Sequence, residues 1–219
     1  MSLGERIKVN FVEIKKGFQI REFHRAVYYF MLLGALVPSF ADYFYYYLTE
    51  ITGITKFQYA MVSVVSYVCL FSAAILYNSC LRSSEVRSMM VLACFTNLFG
   101  AVSSLLFIEG IMFGMSPYIF VCVTSAVSEV LYNVFVVLPS QVLFAKMIPS
   151  NIESSMFAIT TGLTNFANLF ASKQLGNLIN MYFGVDNENL AEEFWKLYAV
   201  QCMMCLLPLL FIWLLPTRK

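Results

Sequence analysis

Long apolar stretches alternate with short polar segments along this chain, and the pattern predicts six membrane-spanning helices. Each stretch holds roughly 20 or more residues, which at about 1.5 Å per residue covers a hydrocarbon core about 30 Å thick. The predicted spans are approximately residues 26–48, 57–78, 89–108, 117–144, 156–180 and 194–215. We therefore expect an all-α integral membrane protein in which residues 24–219 form one six-helix transmembrane domain.

The composition agrees with that fold class. Hydrophobic residues make up 60% of the chain and charged residues 12%, whereas soluble domains are about a quarter charged. An ordinary water-soluble domain is therefore excluded, and the lipid bilayer is the expected surrounding of most of the chain.

Lysine and arginine fall mostly on one side of the predicted spans. Of the 14 such residues, Lys173 lies within the fifth span. Only two, Lys56 and Lys196, lie on the side of the membrane shared by the first, third and fifth loops. The other eleven precede the first span, lie in the second or fourth loop, or follow the last span. Because basic segments stay on the cytoplasmic or equivalent side, both termini are predicted on the cytoplasmic or matrix side, in a plasma or organelle membrane.

Residues 1–23 predict an amphipathic helix that lies on the basic side of the membrane. Apolar residues recur in this segment at helical spacing, namely Ile7, Phe11, Ile14 and Phe18. Lysines occupy the other faces, as expected of an interfacial helix. A partly disordered tail is the alternative.

The chain offers little chemistry outside this pattern. Cys202 and Cys205 have the spacing of a metal-binding pair, but no second pair is present and His24 is the only histidine. A structural metal site needs four ligands. The sequence also has no nucleophile elbow, phosphate loop or dinucleotide fingerprint. We therefore expect no enzymatic activity, cofactor, metal or nucleic-acid partner.

Three ionisable residues interrupt the apolar spans: Asp42, Glu129 and Lys173. A charged side chain near the bilayer centre costs about 2.5–3.5 kcal/mol on insertion scales, so such residues normally face protein or water. Two interpretations follow. Asp42 or Glu129 pairs with Lys173 or a hydroxyl and holds helices together, or the carboxylates line a polar pathway for a solute or protons.

The fifth span carries a polar stripe that is unsuited to lipid. Small and polar residues recur every four positions, namely Thr160, Thr164, Asn168, Ser172 and Gly176, with Thr161 and Asn165 beside them. Such a face either packs closely on another helix or borders a cavity. Since lipid offers no hydrogen bonds, we expect the stripe to be covered by another polypeptide.

Several short motifs resemble those of the folate–biopterin transporter family, a branch of the major facilitator superfamily. The resemblance extends from about residue 18 to residue 215. Its most specific segments are Val37-Pro38-Ser39-Phe40-Ala41-Asp42, Gly110-Ile111-Met112-Phe113-Gly114, Ser128-Glu129, Ser154-Ser155-Met156-Phe157-Ala158 and Ser172-Lys173-Gln174-Leu175-Gly176. In the family, small residues usually precede Gln-Leu-Gly, so Lys173 is a departure.

The resemblance implies one six-helix half of a twelve-helix transporter, specifically the second half. It also implies secondary transport of pterins, folates or related anionic solutes. Residues of the candidate substrate or proton pathway are Asp42, Glu129, Asn165, Asn168 and Gln174, with Lys173 as the candidate intramembrane ion-pair partner.

The half-length match leaves several arrangements open. The chain is a fragment or a natural half-length relative, and it works with a second transporter half or as a dimer with its own copy. The alternative function is that of a degenerate half serving as a structural subunit of a larger membrane complex, for example in the mitochondrial inner membrane. An unrelated six-helix scaffold is a third, weaker interpretation.

Overall fold

The computed structural model describes residue 12, residue 15, residues 17–148 and residues 152–216, and within these residues all regular structure is helical. The α-helices are α1 Arg21–Ala35, α2 Ala41–Tyr46, α3 Lys56–Leu76, α4 Val86–Ile108, α5 Pro117–Tyr132, α6 Leu138–Met147, α7 Glu153–Asn165, α8 Ser172–Phe183 and α9 Leu190–Met204. Most of the predicted interfacial helix over residues 1–23 lies outside the described residues.

Several helices are followed directly, or after a two-residue turn in the case of α9, by wider or tighter helical turns. π-helical turns follow α2 over Tyr47–Ile51 and α3 over Tyr77–Leu81, and a 3₁₀ helix, Leu207–Leu214, follows α9. Two more π-helical segments, Asn133–Val137 and Phe166–Ala171, join α5 to α6 and α7 to α8.

Four helical segments among the described residues are long and apolar enough to cross a membrane. They are Lys56–Leu81, Val86–Ile108, Pro117–Met147 and Leu190–Leu214. These segments correspond to the second, third, fourth and sixth predicted spans. The protein is therefore an integral membrane protein, although the first and fifth predicted spans differ from simple apolar helices.

The prediction of one continuous helix over residues 26–48 is wrong. α1 ends at Ala35, and α2 begins only at Ala41. Pro38 lies in the interruption; proline has no N–H to donate and disfavours helical geometry in the residue before it. The first predicted span therefore consists of two helices with non-helical backbone between them.

The fifth predicted span is helical throughout but is polar. α7, its π-helical segment and α8 run without interruption from Glu153 to Phe183, longer than the predicted residues 156–180. This segment does not meet the hydropathy of a membrane span, because its stripe of threonine, asparagine and serine lowers the average.

Two separate apolar cores lie on either side of the interrupted helix. One gathers the buried part of α1, including Phe23 and Leu33, with residues of α4, α6 and α7. The other contains Phe40 and Leu48 with residues of α3, α4, α5 and α9. The non-helical segment, Leu36 to Phe40, thus lies where the first core gives way to the second.

Candidate functional site

The backbone of the interruption makes hydrogen bonds with two other helices. The Ser39 N–H donates to the Ser172 carbonyl oxygen at 3.0 Å, at the start of α8. The Gln201 side-chain amide on α9 donates to the Pro38 carbonyl oxygen at 2.9 Å. Irregular backbone at membrane depth is tolerated only where protein or a water-filled cavity surrounds it, so these contacts make the break a stable feature.

Two glycines allow the fifth predicted span to approach the first at very close range. A Cβ on Gly176 would overlap the carbonyl oxygen of Ser39, and one on Gly34 would overlap the Asn168 side chain. The overlap at Gly176 is with backbone, which no side-chain movement relieves, so glycine is required there for this packing. At Gly34 the Asn168 side chain would have to move, and the Asn168 backbone nitrogen would still lie at a tight 3.1 Å.

The polar stripe of the fifth span faces the inside of this chain. Thr160 is 1% exposed and Ser172 3% exposed, and Gly176 contacts the interruption. The expectation that another polypeptide covers the whole stripe is therefore wrong, because α1 and the segment after it cover much of it. Both arrangements predicted for the stripe are present. Its second half packs closely on the first span, and its first half borders a cavity.

That cavity contains two of the predicted site residues. It has a volume of about 230 Å³ and is bordered by Asn165 and Asn168 together with Thr160, Thr161 and Thr164. Tyr132 and Gln141 face it from α5 and α6, and Phe30 and Leu33 from α1. Amide and hydroxyl groups from three helices thus line this cavity, and the residues of α1 add apolar surface to it.

Asp42 and Lys173 form an ion pair beside the interruption. The Lys173 Nζ lies 2.8 Å from Asp42 Oδ2 and 3.1 Å from Oδ1. The next turn of α8 continues the contact, because the Tyr43 hydroxyl donates to Asn177 Oδ1 at 3.2 Å and accepts from Asn180 Nδ2 at 3.3 Å. These bonds hold α2 against α8.

A second cavity, on the other side of the interruption, is rich in hydroxyl groups. It has a volume of about 300 Å³ and is lined by Ser39, Ser103, Ser104 and Thr124, together with Ser125, Ser128, Tyr198 and Gln201. Residues Ser125, Ser128 and Gln201 also border an adjoining cavity of about 380 Å³. Polar groups from α4, α5 and α9 therefore converge next to the broken helix.

The acceptor groups in this region are not all satisfied within the described part of the chain. The Gln201 Oε1 atom is buried and has no hydrogen-bonding partner there, although the Nε2 atom of the same amide is bonded to Pro38. Buried polar atoms almost always have partners, so this oxygen is available to a donor from water or a solute.

Glu129 lies apart from the Asp42–Lys173 pair. Its Oε1 accepts a hydrogen bond from Asn133 Nδ2 at 2.9 Å, and its side chain borders the 380 Å³ cavity. Gln174 is exposed at the surface of α8. The structure thus distributes the predicted residues over an ion pair, two cavities and the surface instead of gathering them at one point.

Three polar residues of the site, Gln201, Asn177 and Asn180, are not among those predicted from the sequence. A signal for the two asparagines was present, because they follow Lys173 by four and seven residues and so share its face of the helix. Gln201 is a single uncharged polar residue in the sixth predicted span, and its partner Pro38 lies 163 residues away. No local pattern links those two positions. Within the described residues, no group of three His, Cys, Asp or Glu side chains could hold a metal ion.

Comparisons with known proteins identify relatives of the chain. The sequence profile of the BT1 family matches residues 1–219. A probable folate-biopterin transporter 9, chloroplastic, from Arabidopsis thaliana is 25% identical over 218 residues, covering 96% of this chain and 39% of that protein. Probable folate-biopterin transporter 2 of the same plant is 30% identical over 149 residues, covering 66% of this chain and 29% of that protein.

The similarity covers only part of each relative. Probable folate-biopterin transporter 4 of Arabidopsis thaliana is 22% identical over 194 residues, again 39% of its own length. The match therefore spans between 29% and 39% of the length of these curated relatives. No solved structure matches it.

Proposed function

The chain belongs to the BT1 family, and from this premise we propose that it is one six-helix half of a secondary membrane transporter for a pterin-like or folate-like anionic solute. The observation that carries the proposal is the interrupted first span, whose non-helical backbone and neighbouring cavities lie where one apolar core gives way to the other. In secondary transporters, substrate sites lie near discontinuous helices.

The cavity of about 300 Å³ beside the interruption suits a solute that carries N–H donors on an aromatic ring. The Gln201 Oε1 atom and the serine hydroxyls offer acceptors, while Phe40, Phe44 and Phe107 supply apolar surface for the ring. A cavity of about 300 Å³ lies at the lower end of the range of small-molecule sites.

A second half would complete the pathway. The Asp42 side chain is 77% exposed and that of Lys173 is 42% exposed, and Asn165, Gln174 and Asn177 are also exposed on the same continuous helix. Contact of these polar groups with lipid is unfavourable, and this chain does not cover them. We propose that a second copy of the chain or a separate transporter half covers them, with both termini of the chain on the cytoplasmic or matrix side.

The test is uptake of radiolabelled folic acid or biopterin into vesicles that hold the full chain with the polypeptides that co-purify with it in mild detergent. The double substitution Ser125→Ala and Ser128→Ala removes two cavity hydroxyls that have no hydrogen-bonding partner within the described residues. We expect it to lower uptake, whereas Ser72→Ala, at an exposed serine of α3, should not.

The outcomes separate the proposed functions. Uptake that depends on Ser125 and Ser128 would support a transporter half. Absence of uptake of both solutes by an intact, partner-bound complex would contradict it and favour the structural-subunit function.

A further inference from the structure

A polar pocket lies at the opposite end of α3 from its capped start at Thr55. The pocket has a volume of about 430 Å³. Asn78, Ser79 and Arg82 border it from the end of α3 and the following turn, and Val142 and Lys146 border it from α6. It is separate from the cavities beside the interrupted helix, with which it shares no residue.

The described residues that line this pocket include two cations from different segments of the chain, Arg82 and Lys146, and no carboxylate. Salt bridges among the described residues are Asp42–Lys173 and Glu193–Lys196, and neither includes Arg82 or Lys146. Both cations are exposed. They belong to the second and fourth loops, the Lys/Arg-rich side of the predicted topology.

We propose that this pocket binds the phosphate group of an anionic membrane lipid. Basic pockets between helices on the cytoplasmic or matrix side are suited to phosphate headgroups. A guanidinium offers a fork of donors to phosphate oxygens, and a lysine adds a point charge. The Ser79 hydroxyl supplies a further donor, and Val142 gives the pocket an apolar wall at the end of a membrane-spanning segment.

The geometry favours a lipid over a soluble anion. The pocket opens at the end of Lys56–Leu81, a segment long and apolar enough to span the bilayer, so a bound phosphate would lie at headgroup level. The site does not depend on transport, and its test does not use uptake.

The test uses the full chain with its co-purifying partners in nanodiscs of phosphatidylcholine that contain a minor fraction of phosphatidic acid. Native mass spectrometry measures how much phosphatidic acid the protein retains. Each basic residue near a membrane surface contributes about 1 kcal/mol, which is about a fivefold change in binding. Arg82→Gln with Lys146→Gln should therefore lower retention about thirtyfold.

Two further variants make the test specific. Arg21→Gln removes an exposed cation on the same side but outside the pocket, and it should leave retention unchanged. Arg82→Lys with Lys146→Arg keeps both charges and should retain most of the lipid.

Three outcomes decide the proposal. A lipid site is supported when the double glutamine variant loses phosphatidic acid, the other two variants retain it, and inorganic phosphate does not displace it from the wild type. Displacement by inorganic phosphate would support the same phosphate chemistry and assign it to a soluble anion. Equal retention by wild type and the double glutamine variant, or equal loss in Arg21→Gln, would overturn it.

Discussion

Asp42 and Lys173 are 131 residues apart in sequence, yet the Lys173 Nζ lies 2.8 Å from Asp42 Oδ2. The pair joins the first turn of α2, the second part of the interrupted first span, to the first turn of α8. Exposed ion pairs in water contribute little stability, about 0–1 kcal/mol. A charge left without a partner inside a membrane costs far more, so the surroundings of this pair decide its importance.

Neutralising one member of the pair should be more harmful to folding than neutralising both. Asp42→Asn leaves Lys173 without a counter-charge, which costs about 2.5–3.5 kcal/mol if no water reaches it. The double variant Asp42→Asn with Lys173→Gln removes both charges and should insert and fold better than the single variant. Thermal unfolding in detergent and the yield of membrane-inserted protein measure this difference.

Uptake should distinguish a functional pair from a purely structural one. We expect both Asp42→Asn and the double variant to lose uptake of folic acid or biopterin, because the carboxylate belongs to the proposed pathway. Normal uptake by a stable double variant would assign the pair a structural role only.

Glu129 provides an independent test of the pathway. Glu129→Gln keeps an oxygen that can accept the Asn133 hydrogen bond but removes the charge at the wall of the 380 Å³ cavity. We expect strongly reduced uptake with unchanged insertion. Glu109→Gln, at an exposed loop position, is the matched control. Equal uptake by both variants and the wild type would remove Glu129 from the proposed pathway.

Gly176→Ala should destabilise the protein by about 1–3 kcal/mol, the usual effect of overpacking. The added Cβ would overlap the Ser39 carbonyl oxygen and would push α8 away from the interrupted helix. Gly162→Ala is the control, because nothing lies within 4 Å of its Cβ position. There alanine should be neutral or stabilising by up to about 1 kcal/mol through helix propensity. Similar unfolding temperatures for both variants would contradict the close approach.

Cross-linking should reveal what covers the exposed polar face. Single cysteines at Asn165 and Gln174, both exposed, should cross-link to another polypeptide in the native membrane. Cysteines at the buried positions Thr160 and Ser172 should not. Labelling of the two exposed positions by lipid-phase probes in a monomeric particle would contradict the proposed second half.

The distribution of basic residues predicts the orientation of the loops. In a cysteine-free background, cysteines at Arg21 and Arg82 should be labelled from one side of the membrane, and cysteines at Gly110 and Asp186 from the other. The reason is the preference of basic segments for the cytoplasmic or matrix side. Labelling of Arg82 and Gly110 from the same side would show that the topology is wrong.

The sequence by itself determined the class of the protein and most of its helices. Hydropathy and length depend on local composition, so the four segments Lys56–Leu81, Val86–Ile108, Pro117–Met147 and Leu190–Leu214 match predicted spans to within a few residues at most ends. The charged residues of the spans and the motifs that resemble a transporter family were also visible without coordinates.

Only the tertiary structure decided how these helices meet. Pro38 was visible in the sequence, but prolines occur within continuous membrane helices, as Pro139 does at the second residue of α6, which continues from α5 through a π-helical segment. The break at Pro38 is stabilised by Ser172 and Gln201, which are distant in sequence. The inward direction of the polar stripe likewise depends on the close approach of Gly176 to Ser39. Helix periodicity shows which residues share a face, but the packing of several helices determines what that face contacts.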